Sequence, residues 1–481
     1  MPNINSEIFR EYDVRGIMGK DLSGDMSVSL GRAFGTYLKR SIPAAQRVSV
    51  GRDVRLGSGE LAEGLIEGIV GTGLDVYDLG ICPTPLQYFS LFHLDLDGGV
   101  MVTGSHNPPE YNGFKLSIGK DTIYGRSIQE LKNLITTGDL LKAAGRGSTE
   151  TYDIVAEYKK FMMDRFSYLS GGKYRRLKIV LDAGNGTAGL VAPGILASAG
   201  CDIVPLYCEP DGRFPNHHPD PTVVEFLNDL RETTKQEKAD IGIGYDGDAD
   251  RIGVIGPSGN IIWGDHLMII LARDILKRHE GATIIGDVKC SQLLFDDIMR
   301  SGGNPIMWKT GHSLVKSKMK EENALLAGEF SGHIFIADRY FGYDDAIYVT
   351  LRLAEILKLS GMGIDEMLAG IPEMHYTPEI RMDCPDDLKK GIVAEVAERF
   401  RAYGLNGNPG FGIKEINDID GIRIVFDRGW ALLRPSNTQP VVVMRVEAED
   451  EDSLRQYRAL LEGEYNSVRE KILKKGTDHY S

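Results

Sequence analysis

The sequence contains little cysteine and lacks the long apolar runs that form membrane spans. Five cysteines, at positions 82, 201, 208, 290 and 384, are scattered over 481 residues without a C-x-x-C pair. This odd and scattered set argues against a disulfide framework and against a zinc site. No run of 18 apolar residues occurs, and the opening "MPNINSEIFREYDVRG" has neither the basic nor the apolar region of a targeting segment. We therefore expect a cytoplasmic protein whose cysteines are buried as small apolar residues.

An excess of positive charge is also missing. The chain has 55 Lys and Arg against 69 Asp and Glu, which gives a formal net charge of −14. Because nucleic acids and anionic membranes are polyanions, this balance argues against both as partners. No obligate protein partner is evident either. If the substrate is itself an anion, basic residues must be concentrated around its site.

A strand-helix-strand-helix-strand pattern occurs three times in the first three quarters of the chain. Its first strands are "RVSVGRD" (47–53), "KIVLDAG" (178–184) and "TIIGDVK" (283–289). Further along each repeat a glycine, Gly73, Gly200 or Gly302, leads into a second strand, and the third strand ends in a polar loop. Such alternation predicts parallel sheets with helical crossovers, in which ligands bind outside the carboxyl ends of the strands. The three polar loops are therefore the first candidates for a site.

The last part of the chain has a different pattern. Residues 370–385 contain three prolines and are predicted to form a linker, followed by a helix over 386–403. Three closely spaced strands, "GIRIVF", "GWALLR" and "VVVMRVEAED", and an amphipathic helix complete the chain. Short connections between adjacent strands predict an antiparallel sheet in a smaller α+β domain.

The third strand of the second repeat ends in "DGDADR", which places Asp246, Asp248 and Asp250 at alternate positions. Three carboxylates this close repel one another unless a cation joins them, and oxygen ligands alone favour Mg²⁺ or Ca²⁺. An EF-hand loop is excluded because Arg251 and Pro257 occupy its sixth and twelfth positions. A D-x-D-x-T hydrolase motif is disfavoured because its fifth residue would be Asp250. A solvated acidic turn is the remaining alternative.

The third strand of the first repeat leads into "TGSHNPP", where two prolines stiffen the loop that carries Ser105. A phosphoryl group on Ser105 could complete the metal's coordination shell, and Mg²⁺ would stabilise charge on a transferring phosphoryl group. That much negative charge needs basic neighbours, for which Arg251, Lys115 and Arg15 are candidates. An ordinary turn at the end of a strand is the alternative for Ser105.

Two further loops have the composition of ligand sites. In "RPSNTQP" (434–440) a guanidinium and three short polar side chains can donate to a phosphate. In "GEFSGH" (328–333) Glu329 and Ser331 can both hydrogen-bond to neighbouring sugar hydroxyls. A polar turn is the alternative for each loop.

These four loops, in this order, resemble the signatures of the α-D-phosphohexomutase family over essentially the whole chain. The resemblance implies an α/β fold of three similar domains with mainly parallel mixed sheets. A C-terminal α+β domain with an antiparallel sheet would complete it, all four domains surrounding a central cleft. The domain bounds expected on this basis are 1–153, 154–258, 259–372 and 373–481.

The resemblance also implies a role for each motif residue. Ser105 would be the phosphoserine and would share Mg²⁺ with the three aspartates, Asp246, Asp248 and Asp250. Residues around the phosphoserine would be His106, Lys115, Arg15 and Arg251. The substrate would contact Tyr12, Lys289, His312, Glu329, Ser331, His333, Arg434, Ser436, Asn437 and Thr438. The sequence does not identify the general base.

Gly104, Ala249, Asn437 and "GEFSGH" look most like bacterial phosphomannomutase/phosphoglucomutase enzymes within the family. The implied reaction interconverts hexose 1-phosphate and hexose 6-phosphate through a hexose 1,6-bisphosphate, which also serves as activator. The partner is then a small phosphosugar. The alternatives are a phosphoglucosamine mutase, a metal-dependent phosphatase that uses the same serine, and a non-catalytic phosphosugar-binding protein.

Overall fold

The computed structural model describes residues 5–405, 412–437 and 439–477. Within these ranges the chain forms four sheets in succession, each covered by helices. No helix in the described part of the chain combines the length and apolarity needed to cross a membrane. All five cysteines are free, and four are buried, as expected from the sequence. Thr438 lies outside the described residues.

The first sheet has seven strands in the order β1-β5-β4-β2-β3-β7, with β6 beside β5. The strands are β1 (Val14–Ile17), β2 (Arg47–Arg52), β3 (Asp75–Ile81), β4 (Gly98–Val102), β5 (Tyr111–Ile118), β6 (Asp121–Thr122) and β7 (Thr149–Thr151). Its helices are α1 (Gly24–Ser41), α2 (Ser58–Val70), α3 (Thr84–His93) and α4 (Arg126–Thr137). Strands β4, β2, β3 and β7 are parallel, while β1 and β5 run antiparallel to their neighbours.

The second sheet has five strands in the order β12-β11-β10-β8-β9. These are β8 (Leu177–Asp182), β9 (Cys201–Leu206), β10 (Ile241–Tyr245), β11 (Ile252–Ile255) and β12 (Ile261–Ile262). The accompanying helices are α5 (Ile154–Phe166), α6 (Ala192–Ser198) and α7 (Asn228–Gln236). Strands β9, β8 and β10 are parallel, and β11 and β12 are antiparallel.

The third sheet has four strands in the order β14-β13-β15-β16. These are β13 (Thr283–Asp287), β14 (Asn304–Trp308), β15 (Leu326–Gly328) and β16 (Ile334–Ile336). Its helices are α8 (Gly264–Leu276), α9 (Gln292–Arg300), α10 (His312–Glu321), α11 (Ala346–Ser360) and α12 (Ile364–Met367). Helix α11 is buried over most of its length, including its charged residues Arg352, Glu355 and Lys358, and its apolar residues belong to one continuous core that joins the second and third sheets.

The three sheets confirm the predicted repeat. In each, the first strand of the repeat lies in the centre, with the second strand on one side and the third on the other, all parallel. The structure adds a feature that the sequence analysis did not predict: after each polar loop the chain returns as an antiparallel strand, β5, β11 or β16. Each candidate loop is therefore held at both ends by paired strands.

The fourth sheet is antiparallel throughout, as predicted, in the order β17-β22-β21-β20-β19 with β18 beside β22. Its strands are β17 (His375–Tyr376), β18 (Ile380–Asp383), β19 (Glu415–Asn417), β20 (Ile422–Phe426), β21 (Gly429–Pro435) and β22 (Val441–Ala448). Helices α13 (Asp386–Leu405) and α14 (Glu451–Thr477) pack on one face. On the opposite face Trp430 and Leu432 contact Val288 of the third unit.

The predicted linker over 370–385 is not a plain linker. Two short strands within it, β17 and β18, pair with β22 on the side away from β21. The prolines at 372, 378 and 385 lie outside these strands, where proline does not remove a ladder hydrogen bond. The segment thus crosses from the third unit while completing the fourth sheet.

Candidate active site

A cleft of about 1100 Å³ is lined by residues from all four sheets. Fourteen residues proposed from the sequence line it: Tyr12, Arg15, Ser105, His106, Lys115, Arg251, Lys289, His312, Glu329, Ser331, His333, Arg434, Ser436 and Asn437. Eight Lys or Arg side chains and five Asp or Glu side chains line the same cleft. Basic side chains therefore outnumber acidic ones along the lining of this cleft in a chain of net charge −14, as expected for an anionic substrate, and Asp246, Asp248 and Asp250 are not among the lining residues.

Ser105 lies at the tip of the loop between β4 and β5, in a left-handed backbone conformation with φ of 48°. Its side chain is buried, and its hydroxyl donates to Asp246 Oδ2 over 2.7 Å. The Ser105 Oγ is also 3.1 Å from His106 Nδ1. The loop of the first sheet and the acidic loop of the second therefore meet at this hydroxyl. Gly247 makes the approach possible, because a Cβ there would lie 2.6 Å from the Ser105 carbonyl oxygen.

Arg55 supports the serine loop from behind. Its buried guanidinium donates to the carbonyls of Ser105 and Pro108 at 2.6 Å each, and to those of Asn107 and Tyr111. Asp53 pairs with Arg55 at 3.3 Å and accepts from the Gly104 amide at 3.0 Å. A Cβ on residue 104 would lie 2.6 Å from Arg55 Nε, so this position requires glycine.

Asp246, Asp248 and Asp250 are fully buried, and their carboxylates lie within 4.8 Å of one another. Lys115 donates to Asp248 at 2.9 Å and also to Asp250. Burial, together with the charges of Asp250 and Asp248, raises the pKa of Asp246 well above its ordinary value. Burial acts to lower the pKa of Lys115, but Asp248 and Asp250 hold it well above its ordinary value. One ammonium thus faces three carboxylates.

The three aspartates fit a divalent metal. Asp248 Oδ1 and Asp250 Oδ1 are buried oxygens without a hydrogen-bond donor among the described residues. Asp250 Oδ1 lies 3.2 Å from His333 Nε2, which Arg251 Nε also approaches to 3.1 Å, whereas Asp248 Oδ1 has no such neighbour among the described residues. Buried oxygens without a donor are costly, and a hard cation satisfies them. This loop can therefore hold a metal ion beside Ser105.

Two arginines lie near the serine. Arg251 is half-buried and directly follows the acidic loop, and Arg15 donates to Asn107 and pairs with Asp13 at 2.5 Å. Burial and the charge of Arg251 lower the pKa of His106 well below its ordinary value, so its ring is neutral. Nδ1 of this neutral ring is the atom that faces Ser105 Oγ.

The loop between β15 and β16 carries a buried carboxylate, Glu329. It accepts from the Gly311 amide at 2.5 Å and lies 2.7 Å from His333 Nδ1. Burial acts to raise the pKa of Glu329, but the hydrogen bond from His333 outweighs it and lowers the pKa to about 2. Glu329 is therefore an ionised acceptor on the cleft wall. The His312 ring lies 6.1 Å from the Tyr12 ring, and Ser331 lines the same wall.

The loop between β21 and β22 faces the cleft from the fourth sheet. Arg434 is buried and bonded through Nε to Asp420 at 2.9 Å, while Ser436 is buried in the same wall. Asn437 Nδ2 donates to the Tyr12 hydroxyl at 2.5 Å, and that hydroxyl donates to the Thr310 carbonyl at 3.0 Å. Tyr12 thus links the first, third and fourth units across the cleft.

Comparison with known proteins agrees with this architecture. Four descriptions of the phosphoglucomutase/phosphomannomutase family match the chain in order: alpha/beta/alpha domain I over residues 6–141, domain II over 156–259, domain III over 263–374 and the C-terminal domain over 379–463. The chain belongs to this family.

Relatives within the family match over nearly the full length. A phosphomannomutase/phosphoglucomutase of Pseudomonas aeruginosa is 43% identical, with 97% of each chain covered. A phosphoglucomutase of Neisseria meningitidis is 40% identical over 97% of this chain and 99% of its own. A crystal structure of a family protein from Burkholderia thailandensis, 39% identical, covers 97% of this chain and 98% of its own with a TM-score of 0.87.

Membership confirms the expected α-D-phosphohexomutase and its fold of three α/β units and one antiparallel α+β unit. It also confirms the class of enzyme, a phosphomannomutase/phosphoglucomutase, which is an isomerase.

Several residues that shape this family site were missed from the sequence. Asp53 and Arg55 hold the serine loop, Asp420 orients Arg434, and Glu379 pairs with Lys289 at 2.9 Å. Each partner is distant in sequence or lies on another element, so no local motif marks the pair. The one available signal was "GRDVR" directly after the first repeat strand, where buried charge at a carboxyl end of a sheet indicates a site.

Arg55→Met tests the support of the serine loop. Its loss leaves the buried Asp53 without its counter-ion and removes the guanidinium hydrogen bonds to four carbonyls, so we expect a cost of about 3–5 kcal/mol in the first unit. Hydrogen exchange of residues 104–111 should accelerate and the melting temperature should fall. Arg176→Met is the matched control, because Arg176 and Asp202 are an exposed pair worth about 0–1 kcal/mol. Equal exchange in both variants would contradict the role of Arg55.

Proposed function

We propose that the protein interconverts the 1-phosphates and 6-phosphates of mannose and glucose, with phosphorylated Ser105 as the phosphoryl donor. A hexose 1,6-bisphosphate is the intermediate, and the same compound activates enzyme that has lost its phosphoryl group. The contact of Ser105 Oγ with Asp246 Oδ2 at 2.7 Å, inside a cleft with a second anion site, carries this proposal.

In the first half-reaction the Ser105 Oγ–P bond breaks as phosphorus bonds to the free sugar oxygen, and the proton of that sugar hydroxyl passes through a neighbouring group to Ser105 Oγ. In the second half the sugar O–P bond at the opposite end of the bisphosphate breaks as phosphorus bonds to Ser105 Oγ, and the Ser105 hydroxyl proton passes through a neighbouring group to the released sugar oxygen. Asp246 Oδ2 and His106 Nδ1 both lie within 3.1 Å of Ser105 Oγ. Lys115, Arg15 and Arg251 offset the charge of the transferring group.

We propose Mg²⁺ as the ion held by Asp246, Asp248, Asp250 and an oxygen of the phosphoserine. When bound, Mg²⁺ supplies Lewis-acid stabilisation of charge on the phosphoryl group. The acidic loop keeps these carboxylates converged through the amides of Asp250 and Arg251, both of which donate to Asp246 Oδ1 at 3.1 Å.

The far wall of the cleft binds the phosphate that is not transferred. We assign this role to Arg434, Ser436 and Asn437, with Tyr12 beside them, and from the motif alone also to Thr438. Lys289, His312, Glu329, Ser331 and His333 bind the sugar between the two ends. Because one serine and one phosphate loop serve both ends of the sugar, the bisphosphate must turn around between the two transfers.

Glucose and mannose differ only at C2. An acceptor such as Glu329 that binds O3 and O4 contacts the part that both sugars share, so we propose that both are substrates. We further propose that the chain divides into the domains 1–153, 154–258, 259–372 and 373–481. Each of the four would then contribute one loop to the cleft.

Ser105→Ala tests the proposed reaction in a coupled assay. Wild-type protein should convert glucose 1-phosphate and mannose 1-phosphate to their 6-phosphates, faster with added hexose 1,6-bisphosphate. The variant should lose about a thousandfold or more of the rate, because the acceptor oxygen is gone. Ser198→Ala, a serine on α6 outside the cleft, is the matched control.

Each other result of this assay has a defined meaning. Release of inorganic phosphate without isomer formation would show a phosphatase instead, and preference for glucosamine 1-phosphate would show a phosphoglucosamine mutase. A strong kinetic preference for one epimer would reject dual specificity. Full activity in Ser105→Ala would contradict the phosphoserine.

Arg434→Ala tests the phosphate loop. Both isomers present a phosphate to this guanidinium, and charge-assisted hydrogen bonds contribute about 1.5–3 kcal/mol. KM should therefore rise about 10-fold to 150-fold for the 1-phosphate and the 6-phosphate alike. Arg455→Ala, on the exposed face of α14, is the control. Unchanged kinetics in Arg434→Ala would refute the assignment.

A further inference from the structure

The connection between β9 and α7 reaches from the second unit to the serine loop of the first. We call residues 212–222 of this connection the bridging segment. Gly212 forms a β-bridge with Arg55, and the Phe214 ring lies 5.0 Å from the Arg55 guanidinium. The His218 ring contacts the carbonyl oxygen of His106, the residue next to Ser105.

His217 lies between two groups that only accept hydrogen bonds. Its Nε2 is 2.9 Å from Asp182 Oδ2, and its Nδ1 is 2.9 Å from the carbonyl oxygen of His218. A neutral imidazole carries one N–H, so both contacts require the doubly protonated ring. Burial acts to lower the pKa of His217, but the hydrogen bond and charge of Asp182 outweigh it and raise the pKa. His217 is thus an imidazolium paired with a buried carboxylate.

Its neighbour His218 is in the opposite state. Burial lowers the pKa of His218 despite its hydrogen bond to His106, so the ring is neutral and has one proton. Because the His106 carbonyl can only accept, that proton is on Nε2. The two adjacent histidines therefore differ in charge: His217 is positively charged and pairs with Asp182, whereas His218 is neutral and donates to the His106 carbonyl.

The bridging segment has little freedom to move. Pro219 packs on Gly184, where a Cβ would lie 2.8 Å from the proline ring. Gly184 itself follows Asp182, whose Oδ1 accepts from the Gly184 amide at 2.8 Å. The segment is thus anchored to the end of β8, beside the acidic loop, before it reaches His106.

The serine loop depends on donors from outside itself. Four successive carbonyls, of residues 105–108, accept from other elements: Arg55 serves residues 105, 107 and 108, and His218 serves residue 106. With φ of 48° at Ser105, the loop conformation is one that its own residues do not favour. His218 thus supplies the hydrogen-bond donor for the one carbonyl of this run, that of His106, which Arg55 does not reach.

We propose that His217 and His218 are positioning residues for the phosphoserine, with His217 locking the bridging segment to Asp182 and His218 fixing the His106 carbonyl. The pair sets the distance between Ser105 and the metal-binding aspartates. This inference rests on the proposed function of Ser105. Because the histidine pair sets the geometry of phosphoryl transfer, changes to it should alter kcat. The substrate phosphate is bound on the opposite wall of the cleft, so KM should not change.

Two variants of His218 separate the effect of the hydrogen-bond donor from that of the ring. His218→Gln keeps a donor at the place of Nε2, while His218→Phe keeps a ring and removes the donor. We expect kcat to fall about tenfold in the Phe variant and to stay within about twofold of wild type in the Gln variant. KM for glucose 1-phosphate should be unchanged in both. His279→Phe, which removes a ring contact with Asp338 outside the cleft, is the matched control.

The charge states of His217 and His218 can be measured without an activity assay. In wild-type protein labelled with ¹⁵N, two-bond ¹H–¹⁵N spectra at pH 7.5 should show His217 protonated on both ring nitrogens. The same spectra should show His218 as the neutral Nε2–H tautomer. An ordinary histidine is mostly neutral at this pH. His217→Gln and His218→Gln assign the two signals by their loss.

The outcomes distinguish this inference from the function on which it rests. A wild-type protein that isomerises no phosphosugar would refute the proposed function, and the spectra would still test the hydrogen-bond pair. An active wild type with His218→Phe at full kcat, or with Gln and Phe equally impaired, would overturn the positioning role. So would a neutral His217 at pH 7.5.

Discussion

The site depends on a concentration of buried negative charge. Three aspartates share one loop without solvent, and Lys115 offers a single ammonium to them from the first sheet. Because desolvation and mutual repulsion disfavour this arrangement, the raised pKa of Asp246 and the oxygens without donors both reflect an incomplete charge balance. A divalent cation between the aspartates would offset this negative charge. The Ser105 hydroxyl lies beside them, at the place where the proposed phosphoserine would be attached.

The repeated sheet explains how the loops converge. In three units the third strand of the repeat lies beside the first, and its carboxyl end leads into a loop that returns as an antiparallel strand. Open α/β sheets bind ligands at this end. Three copies of this arrangement therefore supply Ser105, the aspartates beside it and Glu329, and Arg434 from the fourth sheet lines the same cleft as Ser105 and Glu329.

Local patterns in the sequence predicted much of this. Short apolar strands after glycine marked the three repeats, and the spacing of three aspartates or of two prolines beside a serine marked the loops. The returning strand β5, "YNGFKLSI", alternates apolar and polar residues from Phe114 to Ile118, but this local pattern does not show which strands it pairs with. Strands β17 and β18 were hidden because prolines surround them, and their pairing with β22 is visible only in three dimensions. The supports of the site, such as Arg55 to four carbonyls or His218 to His106, join residues that are far apart in sequence and carry no local signature.

The most direct test of the account is ³¹P NMR of protein phosphorylated by hexose 1,6-bisphosphate and titrated with Mn²⁺. This paramagnetic ion prefers the same oxygen ligands as Mg²⁺. If Ser105 and the aspartates share one metal, the phosphoserine signal broadens beyond detection in wild type and stays sharp in Asp248→Asn. A signal that stays sharp in wild type, or that broadens equally in the variant, would contradict the shared site.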